Sequence, residues 1–540
     1  MRYNRRIFLI AYFLIFALAS YSQTNSKKDY TDAKKFLFFK NYNEAIKPLT
    51  SILLTEPDNA NINYLVGLCF LKSSLEKDKS ISFLERAVTN TIKDYKEGNL
   101  KQEKAPVISY FYLGQAYHYT YEFNKAIESF NQYLNLLTSE QTKEKDLTEL
   151  HINWCKNALD LIKDSAQIKI TNQGKLINSR YDEHTPVLNT DESIMIFTSR
   201  REGSTGGLKT DDGRYFEDIY ISEKIDENWT APKNISENIN TDGHEATIAL
   251  SADGTELYIY KDDFGIGNIY VSTIDTNDVW SKPEKLGSNI NSSSNETHVS
   301  VSADKRTLVF VSDRKGGFGG SDIYIVKMLP NGIWGLAQNI GEVINTPYDE
   351  DGVFIHPDGT SLFFSSKGHK SMGGFDLFFS ELQSDGSWSE PVNLGSPINT
   401  TDDDIFYVLS ADGKRAYYST MKKDGFGGRD IYMMDLLSLP ERSSVVIRGY
   451  VRIAGSDEIP KDISISITDF ETGELMGIYK PNKKTGKYTL ILRHGREYKI
   501  TCEAKGCAFK DERINIPKHC SFFEINSPIT LDPIGTIQKY

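Results

Sequence analysis

The stretch Arg314–Tyr324, RKGGFGGSDIY, puts four glycines into five residues just ahead of an Asp-Ile-Tyr. Such a cluster either cradles a phosphate or turns the chain, and the two readings lead to different proteins. A phosphate loop needs Gly-Lys-Ser/Thr opening a helix. Here Ser321 leads into a β-branched and aromatic run that reads as a strand. The passage also has relatives along the chain: KKDGFGGRDIY ending at Tyr432, KSMGGFDLF ending at Phe378, KDDFGIGNIY ending at Tyr270 and GRYFEDIY ending at Tyr220. Each follows an apolar run (IMIFTS, ELYIYK, TLVFVS, SLFFSS, RAYYST), and each run follows a turn of the type NTDES, SADGT, SADKR, HPDGT or SADGK. A repeated loop between strands turns the chain. The glycines are expected to supply positive φ there.

The unit occurs five times, with WTAPKNISENIN, WSKPEKLGSNIN, WGLAQNIGEVIN and WSEPVNLGSPIN between successive copies. A period of roughly 50 to 60 residues is the size of a four-stranded propeller blade. These units resemble the WD-like, TolB-type propeller repeat over roughly half the chain. The resemblance implies a propeller over residues 165–440, with five blades quoted and a degenerate sixth left open. Asp218, Asp322, Asp376 and Asp430 are expected to bond turns within their blades, with Asn268 replacing the fifth. Trp229, Trp280, Trp334 and Trp388 are expected to pack against neighbouring blades. The last copy lacks a Trp-containing outer strand. The stretch AQIKITNQGKLIN, Ala166–Asn178, matches the missing piece, so its first strand should close the ring; an open ring would leave strand edges unpaired.

An acid stands five residues after each Ile-Asn asparagine: Glu183 after Asn178, Glu245 after Asn240, Glu296 after Asn291, Glu350 after Asn345 and Asp404 after Asn399. Two readings are open. Each acid is a strut within its blade, or five carboxylates around the axis hold a weak calcium or magnesium ion. Repetition in every blade favours the strut. No other cofactor is expected.

The first third of the chain reads differently. Tyr110, Leu113, Gly114, Tyr117, Ala126 and Phe130 follow a 34-residue-type helical pattern, in which small Gly114 and Ala126 let paired helices approach. Ala33, Phe36, Ala45, Leu49 and Pro57 repeat it, and Val66, Gly67, Phe70, Leu84 and Ala87 form a weaker copy. Residues 23–164 resemble a tetratricopeptide array closed by a helix over Lys145–Lys163, which implies a protein-binding concave face. Residues 441–540 alternate apolar and polar residues in short runs parted by turns, as a small β-sandwich does. Gly449-Tyr450-Val451, Thr472-Gly473, Gly486-x-Tyr488, Gly495 and Tyr498 resemble the carboxypeptidase-regulatory, transthyretin-like domain, with Cys507 where an aromatic often stands. No zinc pattern accompanies it. The fold class is thus multidomain α + β.

Met1–Arg6 is basic and Ile7–Ala19 is apolar, followed by small residues. Residues 1–22 read as an export signal cleaved before Ser20 or Gln23. Five cysteines include a C-terminal group, Cys502, Cys507 and Cys520, from which the sequence fixes no pairing. A net charge of −12 excludes a partner bound by phosphate neutralisation, so no nucleic acid is expected.

Signal, helical array, propeller and regulatory-type domain, in that order, resemble a Bacteroidetes-type group of envelope proteins, including an OmpA-family component of type IX secretion and gliding machinery. That group usually continues into an OmpA-like domain gripping peptidoglycan. The sequence up to Tyr540 shows none, so peptidoglycan binding is not carried over. The expectation is a non-catalytic scaffold binding other envelope proteins in the periplasm or at the periplasmic face of the outer membrane. The alternative is a carbohydrate-binding or glycan-hydrolysing propeller. Against an enzyme stand two points: the sialidase Asp-box needs Ser-x-Asp-x-Gly where this chain has Ser-Ala-Asp-Gly, and the notable acids repeat blade after blade, whereas glycoside hydrolysis needs two carboxylates in different environments.

Overall fold

The computed structural model describes residues 26–534 except 74–75, 100, 164–167, 191, 211–212, 227, 276, 423, 437–443, 484 and 519–522. The expected export signal and Cys520 lie outside the described residues. Cys69, Cys155, Cys502 and Cys507 are buried free thiols. The chain divides into a helical unit up to Lys163 and a β-rich unit that takes in the remainder apart from Lys209–Arg214.

The helical unit runs through a helix over 26–38 and then Tyr42–Leu53, Ala60–Lys72, Ser80–Ala87, Ser109–Tyr119, Phe123–Leu136 and Thr142–Leu161. From Tyr42–Leu53 onward each packs on the next. Small residues set the spacing. A Cβ on Gly114 would stand 2.6 Å from the Phe130 ring, and one on Gly67 would stand 2.6 Å from Leu84. Ala126 is fully buried in the same seam. The closing helix begins three residues before the expected Lys145.

Five antiparallel sheets follow, the first of five strands and the others of four. Their innermost strands are Glu183–Leu188, Glu245–Leu250, Glu296–Val301, Glu350–Ile355 and Ile405–Leu409. Each innermost strand contacts the next, and the fifth contacts the first, so the sheets form a closed ring. The fourth strand of the fifth sheet is Lys169–Asn172, which pairs antiparallel with Asp430–Asp435 in the register Tyr432↔Asn172 to Asp435↔Lys169. The edge left by the last repeat is filled from the other end of the ring.

A repeated asparagine locks each junction. The Asn240 carboxamide accepts from Ile219 N–H at 2.9 Å and donates to Ile219 C=O at 2.9 Å. Asn291 does the same to Ile269, Asn345 to Ile323 and Asn399 to Leu377. Asn178 clamps Ile431 in the same way, at 2.8 and 2.9 Å, across the closure. Each clamp pairs a buried backbone N–H that the outer strand leaves free and adds a second bond to the same residue's C=O, which the N–H just past the outer strand also reaches.

The tryptophans fill the seams between sheets. Trp280 packs with Val187, Ile196 and Ile219 of the preceding sheet. Trp334, Trp388 and Trp229 join the clusters that mix their own sheet with the one before.

The glycine clusters turn the chain, but not for the expected reason. In Gly316–Gly320 only Gly316 has positive φ, and the GG pairs at Gly373 and Gly427 have none. What they need is room. A side chain on Gly319, Gly373 or Gly427 would collide with the backbone of the next sheet at Tyr348, Thr400 or Tyr181. The loop N–H groups then converge on the protein's own aspartate. Asp322 accepts from Phe318 N–H (2.6 Å), Gly319 N–H (2.9 Å) and the Asn339 amide (2.8 Å). Asp376 and Asp430 are held by the same set, and Asp218 by Thr205. Asn268 has an amide where the other sheets have an acceptor-only carboxylate, and its Nδ2 donates to the Asp263 carboxylate and the Ile266 carbonyl.

After the ring, one sheet carries Lys487–Arg493, Ser444–Ile453, Phe523–Asn526 and Ile529–Leu531, and a second carries Leu475–Tyr479, Lys461–Asp469, Arg496–Lys505 and Lys510–Ile516. Val445, Ile447 and Leu490 from the first share a core with Ile465, Ile467 and Tyr498 from the second.

Asn178→Ala leaves the buried Ile431 N–H unpaired, while Gln173 N–H still bonds the Ile431 carbonyl, and should cost about 1–3 kcal/mol in denaturant unfolding. Deleting Lys169–Thr171 should abolish the single cooperative transition and promote aggregation through the exposed edge. In the helical unit, Gly114→Leu should cost about 1–3 kcal/mol by overpacking. Lys125→Ala, at an exposed position, should leave the melting midpoint unchanged.

Candidate functional site

The five repeated acids are fully buried, and each faces its own sheet. Glu183 accepts from Ser179 N–H, the Ser179 hydroxyl and the Ser199 hydroxyl at 2.6–2.7 Å. Thr241 serves Glu245, Ser292 and Ser312 serve Glu296, Thr346 and Ser366 serve Glu350, and Thr400 serves Asp404. Three have a cation as well: Arg201 at 3.2 Å from Glu183, Lys261 at 2.8 Å from Glu245 and Arg314 at 3.0 Å from Glu296. The acids tie the turn entering each inner strand to the strand beside it. They do not converge on an axial ion site, and no group of three or more His, Cys, Asp or Glu among the described residues is placed to hold a metal.

What reaches the axis is the pair of residues just after each acid. In four of the five inner strands the pairing slips by one residue there, between His184 and Val187, Glu296 and Val299, Asp351 and Phe354, and Ile405 and Val408. Such a bulge re-aims side chains. Thr185, Gly352 and Phe406 take positive φ at these bulges, +51°, +53° and +63°. For threonine and phenylalanine that costs about 1–3 kcal/mol each, the kind of strain that collects at functional sites.

The result is a cluster with Phe406 between two imidazoles, its ring 4.8 Å from His298 and 5.8 Å from His184. His298 Nδ1 stands 2.6 Å from Asp351. His184 Nε2 stands 3.5 Å from Glu217, which also faces His244 at 3.4 Å and Arg200 at 4.0 Å. Phe216 stacks on His244 at 4.1 Å. All of these residues are half-buried. Thr185, His298, Gly352 and Phe406 line a cavity of about 70 Å³ together with Val187, Ile248 and Phe354 of the inner strands. Burial alone would raise Glu217, but the bonds from His184 and His244 and the charge of Arg200 outweigh it and hold the carboxyl well below its usual range. Asp351 is lowered in the same way: burial opposes ionisation, and the adjacent His298, the Gly352 N–H and Lys367 prevail. Two ionised carboxylates, three imidazoles and an aromatic ring thus share one mouth.

None of these residues was singled out from the sequence. They occupy positions that break the repeat: the residue after the acid is His184, Ala246, Thr297, Asp351 or Ile405, and Glu217 stands where the other copies carry Gly267, Ser321, Phe375 and Arg429. That departure was the available signal.

No protein-family model and no curated protein matches the chain. Similar solved structures include TolB-type β-propeller proteins. TolB from Acinetobacter baumannii is 15% identical over 48% of this chain and 56% of its own, at a TM-score of 0.31, so the match spans little more than half of that protein. A putative TolB from Agrobacterium tumefaciens is 14% identical over 60% of this chain and 97% of its own, at 0.30. The catalytic domain of an α-L-arabinofuranosidase from Coprinopsis cinerea is 13% identical over 50% of this chain and 98% of its own, at 0.35. The expectation that the protein is not an enzyme is corrected here, because glycoside hydrolases stand among the similar structures. The physical reason lies in the acids chosen. The repeated ones are struts, while Glu217 and Asp351, which do not repeat, share the axial mouth. Among the described residues no helix is long and apolar enough to cross a membrane.

The strut at Glu350 lacks a cation because Gly368 stands where the first and third sheets carry Arg201 and Arg314. Burial pushes Glu350 and Asp376 each up to about 7 and Asp404 well above the usual range. A raised carboxyl stabilises the fold in its protonated form, fully below about pH 4 and no longer once pH passes the folded value. The lowered Glu217 and Asp351 act oppositely and lose their contribution only as pH falls below about 4. The melting temperature should therefore fall as pH rises from about 4 to about 7. Glu350→Gln with Asp376→Asn should flatten that slope in a thermal melt series.

Proposed function

We propose that the protein is an exported cell-envelope protein that captures a carbohydrate at the axial mouth of a five-bladed propeller. In this reading a tetratricopeptide-type array precedes the propeller and a regulatory-type β-sandwich follows it. The observation that carries it is the convergence of Phe406, His184, His298, Glu217 and Asp351 at one mouth, on positions where the repeat is broken. An aromatic ring offers the apolar face that a sugar ring covers, and ionised carboxylates with imidazoles supply the acceptors and donors its hydroxyl groups need. Apolar walls with a few convergent polar groups are the usual make-up of a ligand site.

A second reading concerns the helical unit. Phe38 and Leu54 are 80% and 86% exposed, and Phe39 stands beside Phe38 with ring centroids 5.2 Å apart. The exposed Phe38–Phe39 pair suits a protein partner. A scaffold for other envelope proteins, in the periplasm or against the outer membrane and in machinery of the type IX secretion or gliding kind, rests on this feature and on the order of the three parts.

A glycan array probed with the full mature chain, followed by calorimetry on the retained glycans, tests the first reading. Saturable binding that falls at least ten-fold in Asp351→Asn and in His298→Ala, with melting temperatures within a few degrees of the parent, is the expected result. Retention of no glycan, or equal affinity in both variants, overturns it. Reducing-sugar release from the same glycans, lost in Glu217→Gln or Asp351→Asn, would extend the site from capture to hydrolysis.

A further inference from the structure

A second cavity, of about 550 Å³, lies between the third and fourth sheets of the ring and the C-terminal sheets. Its volume falls within the range of about 300–1,000 Å³ typical of small-molecule sites. Ile340 and Trp388 line it from the ring, and Met476, Tyr479, Tyr498 and Arg493 line it from the C-terminal sheets.

Arg493 sets the chemistry. Its Nε donates to the Asp358 carbonyl at 3.0 Å, and its backbone N–H and C=O are both bonded to the Tyr498 hydroxyl at 3.2 Å, so the stem is fixed. Among the described residues no carboxylate forms an ion pair with its guanidinium. The Asp358 carboxylate is already engaged by His356 Nδ1 at 2.9 Å and by the N–H groups of Thr360 and Ser361 at 2.8 Å. Across the cavity Asp304 is held by the Ser302 hydroxyl and Arg306 N–H. Exposed Lys327 adds a second positive charge to the lining. Burial disfavours the charged form of Arg493, yet a guanidinium keeps its proton in proteins. A half-buried cation with free N–H groups beside an aromatic and aliphatic wall is complementary to an anionic head on an apolar body.

We propose that this cavity binds a small amphiphilic carboxylate, of the medium-chain fatty-acid class, with the carboxylate on Arg493 and the chain against Trp388, Tyr479 and Ile340. The site is separate from the axial mouth and independent of any glycan bound there. Calorimetric titration of the full mature chain with sodium octanoate, and in parallel with 1-octanol, tests it. Octanoate should bind once per chain and at least ten-fold more tightly than the alcohol. Arg493→Met should remove that preference by weakening octanoate alone, and Ile340→Trp, which fills the cavity and keeps the guanidinium, should abolish both. Equal affinity for acid and alcohol in the parent chain, absence of octanoate binding, or undiminished octanoate affinity in Ile340→Trp would each overturn the proposal. The acid-against-alcohol comparison needs no variant and stands even where Arg493→Met does not fold.

Discussion

The asparagine clamp is the interaction on which the ring depends. A carboxamide has the donor and acceptor geometry of a peptide group, so each Ile-Asn asparagine acts as one more residue of strand beside the third strand of the sheet before it. At Asn240, Asn291, Asn345 and Asn399 the clamp joins neighbours in sequence. At Asn178 it joins the beginning of the ring to its end. The seam tryptophans, the buried acids and the glycine turns all sit around these junctions. Each is a local device for holding one sheet at a fixed angle to the next, so that five equal steps return to the start.

Much of this was legible because repetition is a sequence property. The five-fold recurrence, the position of the closing strand and the packing role of the tryptophans follow from aligning the chain with itself. Gly319 shows where such reasoning stops. Its place in a turn was readable, but its cause, the backbone of Tyr348 in the next sheet, is a contact between units that no local φ rule contains. The axial mouth is a stronger case. His184, His298, Asp351 and Phe406 meet because a closed ring brings four inner strands to one line, and nothing in the chain order makes them neighbours. Reasoning from repeats also directs attention to the wrong residues. It highlights those that serve the framework and passes over the positions where the framework is free to differ.

Electrostatically, the ring holds its charges in two ways. The struts are fully buried and satisfied mainly by hydroxyl and backbone N–H groups, with a cation added in three sheets. The carboxylates at the mouth are half-exposed and held ionised by imidazoles and Arg200. The first arrangement fixes geometry. The second keeps charge where a ligand can reach it. The glycine loops belong to the first kind: their N–H groups form the concavity that elsewhere receives an anion, and the residue filling it is the loop's own aspartate.

The closing strand has a consequence for how the protein comes to be folded. Asn172 bonds to Asp430 across 258 residues of chain, while each internal junction joins segments far closer in sequence. Contacts of such separation form late, because the loop entropy must be met before they give anything in return. The first four sheets can therefore assemble in the order in which they emerge, and the strand Lys169–Asn172 must wait, unpaired, until the last copy arrives. During that interval the chain carries two complementary open edges, one at each end of an unfinished ring. At high local concentration the same edges fit a second chain as well as their own, so synthesis rate and dilution decide between a closed monomer and an exchanged pair.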